Sequence, residues 1–198
     1  MSTHFAHRPV SVGLLLFPTV EELDFAGPYE VFANAGEEQR QAYCRVTTIG
    51  TAQEIRCRGG LRVLCDHLLE ECPRLDLLVV PGGPNAREQY NDERIAAFLR
   101  RQHEQISIIA SVCTGAFYLA YAGLLDQHRA TTHPLRFDLF RQRFPQIELV
   151  AEKIVDEGTI VTAGGVSSGI DLALYFLEHW FGVEARKNAA KRLDGPWR

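Results

Sequence analysis

Cys113 stands in Ser111-Val112-Cys113-Thr114-Gly115, directly after the apolar run Ile106 to Ala110 and before the helix-like stretch Ala116 to Ala122. A thiol at a strand-to-helix junction has the layout of a nucleophile elbow, with Cys in the place of Ser in G-x-S-x-G. The turn is sharp, so the side chain projects from the sheet top, and Gly115 keeps the following turn free of a side-chain clash. N–H groups at the start of the next helix point at the sulfur, which favours the thiolate and predicts a lowered pKa. Cys44, Cys57, Cys65 and Cys72 sit in no such pattern and read as buried structural thiols.

A nucleophile needs donors aimed where negative charge develops. The N–H of Thr114 is one candidate. Pro81-Gly82-Gly83, at the end of the apolar run Leu75 to Val80, can supply the second, because glycine lets the backbone approach a ligand closely. A nucleophile also needs an acid or base. Asp24, in Leu23-Asp24-Phe25-Ala26-Gly27-Pro28, is a carboxyl flanked by apolar residues. It reads either as an N-cap or, held near the thiol in an apolar cleft, as a proton donor with a raised pKa. His133, before Pro134, is the other candidate and equally a packed loop residue. His4, His7, His67, His103, His128 and His179 have no motif around them. Neither Gly82-Gly83 nor Gly164-Gly165 opens a dinucleotide or phosphate-binding loop, and no Cys-x-x-Cys or His-x-x-x-His pair occurs. No cofactor and no metal are expected.

The elements that must position these residues follow from the hydrophobic pattern. Val10 to Phe17, Cys44 to Ile49, Leu75 to Val80 and Ile106 to Ala110 read as strands, most of them continuous apolar runs, as in a sheet buried on both faces. Ile55 to Leu64, interrupted by Gly59-Gly60, reads as a hairpin, and Ile147 to Val161 as two or three short strands. Helices are expected over Tyr29 to Ala35, Asn91 to Gln105, Pro134 to Phe144, Ser168 to Phe181 and Val183 to Leu193. Alternating strands and helices predict an α/β fold with a mostly parallel sheet and helices on both faces. Ligands bind outside the carboxyl ends of such strands, where Asp24, Gly82-Gly83 and Cys113 all fall.

The 198 residues include 21 Lys+Arg against 25 Asp+Glu, a net charge of −4, with 46% hydrophobic and 23% charged residues. That is an ordinary globular balance and excludes a disordered, collagen-like or disulfide-scaffold chain. With no linker or repeat, residues 1–198 read as a single domain. The mildly acidic balance gives no reason to expect nucleic acid as a partner, and no run reaches the roughly 20 apolar residues of a membrane span. Five cysteines without regular spacing and no recognisable signal peptide point to a cytoplasmic protein with free thiols.

The stretches Leu23-Asp24-Phe25-Ala26-Gly27-Pro28, Pro81-Gly82-Gly83, Ser111-Val112-Cys113-Thr114-Gly115-Ala116, Ala122-Gly123-Leu124-Leu125, Ala130-Thr131-Thr132-His133 and Gly169-Ile170-Asp171 occur in an order that resembles the ThiJ/PfpI superfamily. This group is related to the class I glutamine amidotransferases. The chain looks most like its isonitrile hydratase branch and the sensor domains of AraC-type regulators. The resemblance implies a flavodoxin-like three-layer sandwich and a homodimer acting on a small-molecule substrate. It implies that Cys113 attacks an isonitrile carbon, that Asp24 handles the proton, that Thr114 positions the reacting groups and that Gly83 offers its N–H. Thr114 stands where PfpI-type peptidases carry His, and Asp24 where deglycase and glyoxalase members carry Glu. Pro134 follows His133 where the hydratase branch often has an aromatic residue. The competing expectations are a metabolite sensor that binds without turnover and a redox-responsive protein in which Cys113 oxidises.

Overall fold

The computed structural model describes residues 8–36 and 42–197. Its main sheet has seven strands: β1 (Val10–Leu16), β2 (Cys44–Gly50), β5 (His67–Leu68), β6 (Leu77–Val80), β7 (Ile108–Val112), β10 (Ile154–Asp156) and β11 (Ile160–Ala163). Their spatial order is β10-β11-β7-β6-β1-β2-β5, and every neighbouring pair is parallel except β10 with β11. The apolar runs of β6, β7 and β11 are buried throughout, as strands covered on both faces must be. A hairpin of β3 (Glu54–Arg56) and β4 (Arg62–Leu64) turns at Gly59-Gly60, and a small pair joins β8 (Arg129–Ala130) to β9 (Glu148–Leu149).

On one side of the sheet α1 (Glu22–Ala33), α6 (Ser168–Phe181) and α7 (Val183–Leu193) pack together; α2 (Pro84–Glu88), α3 (Glu93–Gln105) and α4 (Ala116–Tyr121) form the second group. A further helix, α5 (Phe137–Arg143), follows a 3-10 turn at Pro134–Arg136. This is the expected flavodoxin-like α/β sandwich. Among the described residues no helix is long and apolar enough to cross a membrane.

Strand order explains where a site can form. From β1 the chain moves outward to β2, whereas from β6 it moves the other way to β7 and β11. Adjacent strands whose connections leave in opposite directions open a crevice at their carboxyl ends. The segment after β1, the Gly82-Gly83 turn after β6 and Cys113 after β7 all meet there.

Beyond the short elements β5, β8 and α2, which carry no clear sequence signal, a later start of β6 and the 3-10 turn that opens the Pro134 to Phe144 helix, two departures bear on the site. The helix predicted over Tyr29 to Ala35 begins at Glu22, so Asp24 lies inside its first turn and Glu21 occupies the N-cap position. Gly27 and Pro28, both poor helix formers, are accommodated within α1. A Cβ on Gly27 would lie 2.8 Å from Ile170 of α6, and one on Gly169 would lie 3.0 Å from Pro28. Close packing of α1 on α6 therefore overrides the local propensity. The second departure is that β7 starts and ends two residues later than expected and runs straight into Cys113.

Phe117 of α4 is fully buried, with ring centroids 5.0 Å from Phe140, 6.0 Å from Phe144 and 6.1 Å from Tyr90. It ties the helix that follows Cys113 to α5. Phe117→Ala should destabilise the fold by about 3–5 kcal/mol in a denaturant titration.

Candidate active site

Cys113 has φ +58°, a left-handed conformation that is strained for any residue but glycine. Val112 before it is still extended and Gly115 after it is helical, so one residue makes the whole turn. Two contacts hold it. Thr132 Oγ1 donates to the Cys113 carbonyl at 2.8 Å, and both groups are buried. Gly115 lies so close to the end of β6 that a Cβ there would sit 2.0 Å from the Val80 carbonyl oxygen. The elbow expected from Ser-Val-Cys-Thr-Gly is present, and what requires Gly115 is its close approach to the end of β6 rather than the turn that follows it.

Asp24 has no exposed surface. Its Oδ2 accepts the Gly82 N–H at 2.8 Å, while Oδ1 is buried with no hydrogen-bond partner among the described residues. Burial pushes the carboxyl up to about 7; the Gly82 N–H and the interaction with Cys113 oppose that shift, and the charge of Glu21 adds to it. The thiol of Cys113 is held above the ordinary range, first by burial and then by the Asp24 charge, with the Thr114 N–H and hydroxyl pulling the other way. This corrects the expectation of a depressed thiol pKa. Donors from the turn do face the sulfur, but desolvation and a facing carboxylate outweigh them. Two acids so placed cannot both ionise readily, so the pair titrates as a unit and its first proton leaves near the carboxyl's value of about 7.

Gly83 adopts φ +147°, and a Cβ on it would meet the Thr19 carbonyl at 2.4 Å. Its N–H donates to Thr114 Oγ1 at 2.9 Å, and that hydroxyl donates back to the Gly83 carbonyl at 3.1 Å. The Gly82 N–H is held by Asp24. The expectation that this pair offers an N–H to a developing oxyanion is therefore corrected: both groups already have acceptors, and their part is to lock Thr114 and Asp24 in place. The backbone donor that faces the sulfur is the Thr114 N–H.

A cleft of about 200 Å³ opens over the thiol, and its lining brings together Cys113, Thr114, Gly83 and His133. Asp24, Gly82 and Gly115 lie beneath this lining. Glu21, Arg58, Arg87, Leu135, Arg136 and Val166 complete the cleft and were not singled out from the sequence. They arrive from the N-cap of α1, the β3–β4 hairpin, α2, the 3-10 turn before α5 and the segment before α6, with no shared motif to mark them. Glu21 ion-pairs with Arg58, and Glu22 accepts the Gly59 N–H at 2.6 Å, which fastens the β3–β4 hairpin beside the site. His133 is half-buried; its Nδ1 accepts the Leu135 N–H at 3.2 Å. Burial, Arg136 and Arg87 lower its pKa, which favours a neutral ring whose proton is on Nε2.

Cys44, Cys57 and Cys65 are buried and Cys72 is half-buried, all as free thiols. Burial pushes Cys44 up to about 12 and the other three to about 11, which keeps them protonated. His67, His103, His128 and His179 do not line the cleft, and His4 and His7 lie outside the described residues.

A family model described as the DJ-1/PfpI family matches residues 10–179. The chain is 34% identical over 187 residues to an isonitrile hydratase of Pseudomonas putida, covering 93% of this chain and 78% of that protein. It is 25% identical over 178 residues to the HTH-type transcriptional regulator GbdR of Pseudomonas aeruginosa. That match covers 89% of this chain and 48% of the regulator, so the chain spans about half of the regulator's length. Among solved structures, a THiJ/PfpI family protein from Pseudomonas syringae superimposes with a TM-score of 0.83 at 22% identity, covering 95% of this chain and 76% of that one. Drosophila melanogaster DJ-1beta superimposes at 0.79 with 23% identity, covering 93% and 97%. These two structures speak to the fold, and the sequence matches go further: the chain belongs to the DJ-1/PfpI family.

Proposed function

We propose that this protein is a cysteine-dependent hydratase that converts a small isonitrile, R–N≡C, into the N-substituted formamide, R–NH–CHO. The observation that carries the reading is the pairing of Cys113 with a fully buried Asp24 whose carboxyl titrates near neutrality. An isonitrile carbon accepts a nucleophile and a proton at the same atom. A thiol and a carboxyl that share one proton match that demand. The similarity to the Pseudomonas putida isonitrile hydratase supports the same assignment.

Once the pair has lost one proton, the Cys113 thiol passes its own proton to the Asp24 carboxylate as the substrate arrives, so the reacting form is a thiolate beside a carboxylic acid. Sulfur attacks the terminal carbon while Asp24 gives its proton to that carbon, leaving Cys113–S–CH=N–R and a carboxylate. Water then adds to the same carbon. Asp24 relays one water proton to the nitrogen, which gives Cys113–S–CH(OH)–NH–R. The C–S bond breaks, the hydroxyl proton returns to Asp24, and the formamide leaves with the thiolate restored. Thr114 orients this exchange through its N–H on the sulfur and its hydroxyl clasp on Gly83. Neutral His133 offers an Nε2–H to the substrate's polar end. The reading includes a homodimer and a small-molecule substrate, with no cofactor and no nucleic acid engaged through this domain.

The similarity to GbdR favours a second reading, in which the cleft senses a metabolite without turnover. Formamide production by the parent protein, lost in Cys113→Ala, would overturn it.

Cys113→Ala should retain the parent's circular dichroism spectrum and produce no formamide from a panel of small isonitriles. Asp24→Asn should lower turnover by about 10²-fold or more. Equal rates in both variants and the parent would exclude the mechanism. Because attack needs one proton removed from the pair, kcat/KM should rise with pH through an apparent pKa near 7, and Asp24→Asn should remove that limb. The same carboxyl affects stability. With its pKa raised from 3.8 to about 7, the folded state binds more protons than the unfolded between those values, so stability falls as pH rises through that window. Asp24→Asn should therefore melt higher than the parent at about pH 8, by up to about 4 kcal/mol of stability, with the gap closing below about pH 4.

A further inference from the structure

Three arginines, Arg58, Arg87 and Arg136, line a cleft that has one acidic side chain in its wall, Glu21. Glu21 is ion-paired with Arg58, which accounts for one of the three cations. Arg87 touches its chain neighbour Glu88 at 3.1 Å, and the Glu88 side chain is 61% exposed. An ion pair of that kind holds little energy against water, about 0–1 kcal/mol, and exchanges readily for a better partner. Arg136 has no hydrogen bond or ion pair from its guanidinium to any side chain among the described residues. Two guanidinium groups are thus available beside the thiol, and both lie near enough to His133 to depress its protonation.

Exposed arginines are commonly solvated rather than functional. Here the side chain of Arg87 is only 25% exposed, and Arg136 is half-buried in the wall of a concave site. With Glu21 matched by Arg58, the wall keeps an excess of positive charge, and a concave wall focuses such a field on whatever enters. The planar guanidinium fork matches a carboxylate in two parallel hydrogen bonds. A volume of about 200 Å³ lies below the roughly 300–1,000 Å³ of pockets for larger ligands, so the anionic group must be close to the reacting carbon.

Resting on the hydratase reading for the reaction itself, we infer that the preferred substrate is a short isonitrile whose N-substituent bears a carboxylate. Arg136 and Arg87 hold the carboxylate while the isonitrile carbon meets the Cys113 sulfur. Isocyanoacetate, with one methylene between nitrogen and carboxylate, has the required reach. Its amide, 2-isocyanoacetamide, matches it in size and lacks the charge.

Two measurements separate this inference from the reading beneath it. Turnover of isocyanoacetate should exceed that of 2-isocyanoacetamide by about 10-fold or more in kcat/KM, and Arg136→Gln should lower that ratio by a similar factor, chiefly through KM. Alkylation of Cys113 by iodoacetate and iodoacetamide, followed by peptide mass, needs no hydratase activity. The parent should favour iodoacetate, although the Asp24 carboxylate under the sulfur repels an anion, and Arg136→Gln and Arg87→Gln should each shift the ratio toward iodoacetamide. A melting curve for each variant confirms folding, and the two variants test the same claim independently. If neither isonitrile turns over but the alkylation preference is present and arginine-dependent, the anion site stands and the hydratase reading fails. If both isonitriles turn over at equal efficiency, or the alkylation ratio is the same in parent and variants, the anion site is overturned.

Discussion

A carboxyl group with no surface in water is held in this molecule by the single N–H of Gly82, and it faces a thiol. Much of the architecture around the crevice can be understood as the support for that arrangement. The carboxyl is on the first turn of α1, the N–H on the turn after β6 and the thiol on the turn after β7. Glu21 N–H donates to the Gly82 carbonyl at 2.9 Å, so the helix start and the glycine turn are bonded to each other as well as through the side chain. The Thr114 hydroxyl then joins that turn to the elbow. A displacement of any one of the three segments moves the other two.

Such an arrangement asks the fold to tolerate unfavourable local states. A buried ionisable group costs free energy in its charged form, and a left-handed cysteine costs of order 1–3 kcal/mol. The compensation comes from apolar packing on both sides of the sheet. Fully buried β6 and β7 fix the strand ends, and the aromatic cluster around Phe117 anchors the helix that leaves the elbow. Close approach of α1 to α6 through Gly27 and Gly169 keeps the Asp24 turn from drifting outward. Stability is thus supplied at a distance from the site.

The longer strands, the hairpin and the two C-terminal helices were legible because each is a short apolar run or a clean amphipathic period between turn residues, whereas the two-residue strands β5 and β8 carry no such pattern. Cys113, Thr114 and Gly115 were legible because an elbow requires its residues to be adjacent in sequence. The start of α1 was not: Gly27-Pro28 carries a breaker signal, and the force that overrides it is contact with a helix some 140 residues later in the chain. The thiol's acidity was not legible either, since N–H groups next to the sulfur are visible in the sequence while burial and the opposing carboxylate are not. Hydrogen-bond partners of Gly82 and Gly83 come from Asp24 and Thr114, so only the fold could say that those N–H groups were occupied. Arg58, Arg87 and Arg136 belong to a hairpin, a short helix and a 3-10 turn, and no spacing rule connects them.

The β3–β4 hairpin forms a sheet of its own, separate from the main one. Its ties to the crevice include one surface ion pair and a few backbone bonds, among them Thr19 N–H to the Arg56 carbonyl at 2.9 Å and Arg58 N–H to the Val20 carbonyl at 3.0 Å. None of these passes through Cys113 or Asp24. A lineage could therefore lengthen or shorten this flap, keeping Arg58, and inherit a differently shaped entrance above the same bonded pair. Diversification of ligand choice would then proceed by editing an appendage, leaving the reactive pair untouched.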